Sequence, residues 1–129
     1  MKEFLLDTHV FLWWIADDSR LSDSMRTVIG VPENKIYVSA ASAFEIAIKA
    51  KLGRLTDIGD PLLSVPFHMK RSNFLSLAIS VEASLRVFSL PNIHEDPFDR
   101  LLIAQAMEHS LTLITNDDTV RKYPVQTLS

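Results

Sequence analysis

The apolar positions fall into short runs separated by polar breaks, and their period changes along the chain. EFLL (3–6) is a brief apolar run closed by Asp7, the pattern of a buried strand. THVFLWWIA (8–16) follows as a helix, with Thr8 near its start. Ser22 is placed to cap a second helix reaching about Gly30. IYV (36–38) predicts a second strand. AASAFEIAIKAKL (40–52) is built from strong helix formers, and Gly53 is a natural stop. TDIGDPLL (56–63) is rich in turn residues, and a weaker helix is expected over 60–71. FLSLAI (74–79) predicts a third strand, Ser80 starts a short helix, and LPNIHEDP (90–97) reads as a loop. A helix over 97–109, a strand at LTLIT (111–115), a short helix over 117–122 and a strand at VQTL (125–128) complete the series.

Strands and helices therefore alternate. The strands are short and apolar without strict alternation, as a parallel sheet covered on both faces requires. The expectation is an α/β fold with a central parallel sheet of about five strands flanked by helices. No repeat or low-complexity tract interrupts the pattern, so residues 1–129 read as one domain. In such folds ligands bind beyond the carboxyl ends of the strands. Functional residues should then follow strands directly.

Composition narrows the choices. The chain is 47% apolar and 22% charged, with net charge −3, so no overall positive field advertises a simple nucleic-acid-binding module. An enzyme that recruits cations to carboxylates remains open. The absence of cysteine excludes thiolate catalysis, disulfides and thiol-held zinc, and suits a reducing cytoplasm. MKEFLLD reaches an acid at once, unlike a secretory leader. VFLWWIA (10–16) is too short to span a bilayer, so no membrane role is expected.

Acids do follow the strands. Asp7 ends the first and Asp117 closely follows LTLIT. Glu45 lies between Phe44 and Ile46 in a largely apolar helix, and Asp99 lies in the first turn of the 97–109 helix. Each has a structural explanation. Asp7 is placed to cap the next helix, and Glu45 to pair with Lys49 four residues on. Asp96 suits an N-cap because Pro97 then takes the first helical position, and Asp99 falls where an acid completes a capping box. Asp117 and Asp118 are equally placed to cap the turn that follows.

Capping does not account for a second acid at Asp99, nor for Glu45 inside an apolar helix. Buried carboxylates are costly unless a cation compensates them, and crowded ones raise each other's pKa. An all-oxygen set of this kind points to Mg²⁺ or Mn²⁺. The four histidines are scattered, and His94, near Asp96, reads as a loop residue, with contact to substrate or backbone open to it. Ser39 and Ser42 lack a visible His–Asp partner, and three glycines leave little room for a phosphate cradle.

Four segments together resemble the PIN-domain ribonucleases, and among them the VapC-type toxins of toxin–antitoxin modules. They are FLLDTHVFLWW (4–14), VSAASAFEIAIKAKLGRL (38–55), LPNIHEDPFDRLLIAQA (90–106) and TLITNDDTVRKYPV (112–125). They cover roughly half of the chain in the family's order, and HEDPFDRLLIAQA is the most specific. Phe44 stands where many relatives carry Trp. The resemblance implies a PIN-like three-layer fold and places the family's acids on Asp7, Glu45, Asp99 and Asp117. Asn116, Asp117 and Asp118 are adjacent, so a shift of one would move the fourth role to Asp118. Asp96 is read as the N-cap, with an outer hydrogen-bonding role open to it, and Arg100 as pairing with an acid, with contact to phosphate open as well.

The resemblance further implies metal-dependent hydrolysis of RNA, with Thr8 and Thr115 supporting the acids by hydrogen bonds. It implies a VapB-type antitoxin as partner and a homodimer. Lys49, Lys51 and Arg54, or Lys70 and Arg71, offer basic stripes for substrate, and one of Trp13 and Trp14 is left for a partner surface. Other classes fit less well. An aspartyl phosphatase would want DxDxT where the chain has DTHVF, and a receiver domain would want an acid closing FLSLAIS. A PIN-like scaffold that binds without cutting is the remaining alternative.

Overall fold

The computed structural model describes residues 2–129. Five strands form one parallel sheet, β1 (Glu3–Leu6), β2 (Lys35–Ser39), β3 (Leu75–Leu77), β4 (Thr112–Ile114) and β5 (Thr127–Leu128), in the order β3-β2-β1-β4-β5. Six helices connect and cover them: α1 (Thr8–Ala16), α2 (Asp23–Gly30), α3 (Ala40–Lys51), α4 (Pro61–Arg71), α5 (Val81–Arg86) and α6 (Pro97–His109).

The apolar strands bury both faces. Phe4 and Leu6 of β1, Ile36 and Val38 of β2, and Ile114 of β4 pack with Val10, Phe11, Met25 and Ile29 of α1 and α2. Leu5 and Leu113 point the other way, against Leu102, Ile103 and Ala106 of α6. Period-two alternation thus feeds two separate cores, which makes three layers.

The chain moves outward from β1 through β2 to β3, then returns to the other side of β1 for β4 and β5. The direction of winding reverses between β1 and β4. Crossovers diverge at such a point and leave a crevice at the strands' carboxyl ends. The backbone N–H of Asp7 donates to Ile114 O at 3.0 Å, so the two strands are joined up to the lip of that crevice.

Helix starts follow the capping residues. Asp7, Ser22, Ser39, Asp60, Ser80 and Asp96 each accept a backbone N–H at the start of the helix that follows. Several elements are shorter than their apolar runs. FLSLAI pairs only over Leu75–Leu77, because the Ala78 carbonyl instead accepts Gln105 Nε2 at 3.2 Å. The helix expected over 117–122 is a three-residue 3-10 turn, Val120–Lys122. The Asp117 carboxylate draws the chain into a tight turn by accepting Thr119 N–H at 2.8 Å, and Pro124 follows. The strands within LTLIT and VQTL span Thr112–Ile114 and Thr127–Leu128, with Leu113 N–H on Gln126 O and Thr115 N–H on Leu128 O joining them.

Candidate active site at the carboxyl end of the sheet

Asp7 leaves β1 at the switch point with its side chain almost fully buried. Its Oδ1 accepts His9 N–H at 3.1 Å, the cap of α1, and its Oδ2 accepts the Thr115 hydroxyl at 2.7 Å. Both readings of Asp7 therefore hold together: it caps a helix and presents a carboxylate to the crevice. Burial pushes its pKa up and the nearby Glu45 charge adds to this, against the lowering effect of the two hydrogen bonds and His9; the net direction is upward.

Thr115 links the two strand ends, since its hydroxyl oxygen also accepts Asp117 N–H at 3.1 Å. Asp117 then turns its Oδ2 to His94 Nε2 at 2.8 Å. Partial burial works against its charge, but His94 and the N–H groups of Thr119 and Val120 outweigh burial and hold its carboxyl below the ordinary range. Asp118 points outward and pairs with Arg121 at 3.1 Å. Of the two adjacent acids, the geometry turns Asp117 to the crevice.

Glu45 sits in the second turn of α3 and is 2% exposed. It does pair with Lys49, at 2.6 Å, but not on the surface. That contact occupies only Oε2. Oε1 is buried and has no hydrogen-bond partner among the described residues. A buried, unpartnered carboxylate oxygen carries a full desolvation penalty unless something else binds it. Thr8 Oγ1 donates to Ser42 Oγ at 2.8 Å and ties α1 to α3, rather than touching an acid.

Asp99 occupies the third position of α6, behind the Asp96 cap and Pro97. The capping-box reading fails for it. The Asp96 N–H that Asp99 would accept goes instead to His94 Nδ1 at 3.0 Å. Asp99 is therefore free to face the crevice. Burial, then the charges of Asp7, Asp96 and Glu45, drive its pKa up to about 7 against the opposing pull of His94.

His94 lies in a loop and meets the Asp96 backbone, both open to it from the sequence, but its ring also reaches two of the acids, which no local pattern signals. Its Nε2 lies 2.8 Å from Asp117 Oδ2 and 3.1 Å from Asp99 Oδ2. Burial disfavours charge on the ring, but Asp117, Asp99 and Asp96 together raise its pKa; the Asp96 N–H on Nδ1 opposes the second proton. Arg100 also departs from expectation. It pairs with no acid among the described residues. Its guanidinium donates to the carbonyls of Val87, Leu90, Pro91 and His94 and to the Tyr123 hydroxyl. Arg100 and Tyr123 thus hold the loop that presents His94. No side-chain pattern encodes this, because most of the acceptors are main-chain carbonyls of the irregular loop just upstream.

The flanking surface is mixed. A cleft of about 360 Å³ runs past Glu45 between Lys49, Arg54 and Phe98, and Phe98 stacks edge-on with the exposed Phe44. Lys51 and Arg54 form no ion pair among the described residues. A larger cleft of about 540 Å³, lined by Trp14, Arg26, His68 and Arg71, lies by the far end of α1 and contains none of the clustered acids. Trp14 is committed there to Ser72 at 2.9 Å, while Trp13 lies half-buried under Arg20.

The PIN domain family model matches residues 4–126. The chain belongs to the PIN-domain family. It is 32% identical over 124 residues to Ribonuclease VapC22 of Mycobacterium tuberculosis, covering 95% of this chain and 93% of that one. Solved structures share the PIN fold at lower identity. VapBC2 from Rickettsia felis, bound to a DNA fragment from its promoter, superposes with a TM-score of 0.71 at 15% identity, over 98% of this chain and 97% of that one. FitAcB from Neisseria gonorrhoeae gives 0.63 at 22% identity, over 98% and 96%.

The residues gathered in this PIN site fit a divalent cation. They are carboxylates, one buried oxygen is unpartnered, and burial, with the neighbouring acids adding to it, drives one carboxyl's pKa up to about 7. Polar side-chain atoms of His94, Asp99 and Asp117 lie within 4.8 Å of one another. Without a cation, the burial and crowding of Asp99 destabilise the fold with a definite sign. Asp99 titrates near 7 in the folded chain against an ordinary 3.8, so the native state holds a proton the unfolded state has released. Stability of the metal-free protein therefore falls as pH rises from about 4 to 7. Asp99→Asn is expected to remove that slope and to add about 1 kcal/mol at pH 8, after screening by the solvent that reaches the site. Urea unfolding of both proteins in chelator at pH 5 and pH 8 measures the difference; an equal pH slope in the two would contradict it.

Proposed function

We propose that this chain is a metal-dependent endoribonuclease acting as the toxin of a type II toxin–antitoxin pair, built as one PIN domain over residues 1–129. The observation that carries this reading is the meeting of Asp7, Glu45 and Asp99 at the switch point, close enough that Glu45 helps to raise the pKa of Asp7 and that both help to raise that of Asp99. The likeness to a named ribonuclease supplies the substrate class. Asp7, Asp99 and Asp117, with Glu45, would hold Mg²⁺ or Mn²⁺. When bound, the cation supplies positive charge to the phosphate oxygens and makes water a stronger nucleophile.

The chain's own residues do the rest. Thr115 holds Asp7, and through the Asp117 N–H it sets the spacing of both carboxylates. Glu45 either completes the cation's ligand set or orients the attacking water through its free oxygen. Lys49 balances the buried Glu45 charge and, with Arg54, offers positive charge in the cleft that leads to it.

A VapB-type antitoxin is the proposed partner, supported by structural neighbours that are toxin–antitoxin assemblies, including one from Klebsiella pneumoniae. A homodimer is proposed as well. Exposed Val81, Leu85 and Phe88, along and just beyond α5, leave apolar area for such contacts. No helix among the described residues is long and apolar enough to cross a membrane, and action in the cytoplasm is proposed.

The test is cleavage of a labelled RNA by purified protein. Internal cuts should appear with Mg²⁺ or Mn²⁺ and stop in EDTA; undiminished cutting in EDTA would end the metal reading. A scaffold that binds without cutting would leave the RNA whole under every ion. Magnesium should also raise the melting temperature, with about 2.7 kcal/mol of stabilisation at one hundred times the dissociation constant.

A further inference from the structure

The imidazole between the two carboxylates has one ambiguity that decides its role. A neutral histidine has one ring proton, and a ligating nitrogen must be free of it. Here the Asp96 backbone N–H points at Nδ1 from 3.0 Å. That nitrogen accepts, so the ring proton sits on Nε2. Nε2 faces Asp117 Oδ2 at 2.8 Å and Asp99 Oδ2 at 3.1 Å, both acceptors when ionised. The same atom therefore donates, and its lone pair is not available to a cation.

The loop is built to keep it so. Arg100 Nη1 donates to the His94 carbonyl at 3.3 Å, and the Tyr123 hydroxyl accepts the His94 N–H at 2.7 Å. The backbone of His94 is held on both sides, and the start of α6 supplies the N–H that fixes the ring. Turning the ring over would lose the Asp96 contact and the donor to Asp117 together.

We propose that His94 is a positioning residue rather than a ligand: its Nε2–H donates to Asp117 while Asp99 Oδ2 lies 3.1 Å from the same nitrogen, which sets the separation of the two carboxylates that would hold the cation. This rests on the metal-dependent reading above and adds a definite division of labour to it. Asp99 belongs to α6 and Asp117 to the turn after β4, and His94 provides their direct side-chain link. Donors that orient ligating carboxylates typically govern cation affinity by 10- to 100-fold.

The experiment has two arms on the full chain. The first is long-range ¹H–¹⁵N NMR of the His94 ring in chelator and then at saturating Mg²⁺. The expected result is a proton on Nε2 in both; its loss on adding Mg²⁺ would make His94 a ligand and overturn the proposal. The second is calorimetric titration of Mg²⁺ into wild type, His94→Ala and His94→Gln, with melting in chelator as the fold control. His94→Ala should weaken affinity by about tenfold, and His94→Gln, whose amide N–H reaches the same place, should recover most of it. Equal affinity in all three would reduce His94 to a loop residue. Should wild type itself bind no Mg²⁺, the metal reading fails first, and the two failures are told apart.

Discussion

Asp99→Asn is expected to cut RNA hydrolysis by about a thousandfold or more while leaving the fold intact. The substitution changes charge and hardly changes shape. Asp99 takes no part in capping α6, because Asp96 accepts the Phe98 N–H at 2.8 Å and fills that role. Its helical neighbours Leu102 and Ile103 remain buried whatever the third position carries. What disappears is one negative charge in the cluster proposed to hold a cation. Magnesium should correspondingly shift the melting temperature of the variant far less than that of wild type.

Asp7→Asn should be as inactive but less sturdy. Both Asp7 oxygens accept, from His9 N–H and from the Thr115 hydroxyl, and an amide can accept with only one. Thr115 Oγ1 already accepts from Asp117 N–H, so its own hydrogen would lose its acceptor at a buried position, costing about 1–2 kcal/mol. Cleavage assays with melting curves on both variants check the pair. Activity above a tenth of wild type in Asp99→Asn would remove Asp99 from the cation's ligand set.

Arg100→Ala is expected to produce the largest loss of stability, about 3 kcal/mol, from a residue that touches no acid of the site. The guanidinium serves main-chain carbonyls at 2.9 Å on Pro91 and 3.0 Å on Val87, with weaker contacts to Leu90, His94 and the Tyr123 hydroxyl. A charged donor is worth about 1.5–3 kcal/mol to each well-placed acceptor, and truncation strands several at once. Arg100→Lys should recover less than half, since an ammonium has no planar fork to reach acceptors spread over eight residues. Denaturant unfolding gives the stability, and hydrogen exchange over 87–96 should show the loss centred on the loop. A change under 0.5 kcal/mol would mean that Tyr123, which accepts the Ile93 and His94 N–H groups and donates to Pro91 O, holds the loop alone.

How far the sequence discloses all this depends on the range of the interaction. Asp7 was legible because an acid closing an apolar strand is a local pattern. Asp96 and Pro97 were legible because a cap and its first helical residue are adjacent. Glu45 was half legible: the Lys49 pair follows from spacing, but its burial follows only from how α3 meets the sheet. His94 and Arg100 were not, because their partners are a backbone N–H at the next helix start and carbonyls several residues upstream. Strand lengths failed for a related reason. Hydrophobicity over 74–79 says that the segment is covered, whereas pairing with β2 and the Gln105 contact decide how much of it joins the sheet.

A cluster of like charges pressed together at the strand ends also gives an experimental handle. Neutralising Asp99 leaves a protein that is quieter and tougher at once, since the mutual repulsion goes with the chemistry. Such a silent copy should be tolerated by a growing host, and it keeps the outer contours of the parent. Whatever transcript or companion protein stays with it through purification would then identify itself, undamaged, in the same tube.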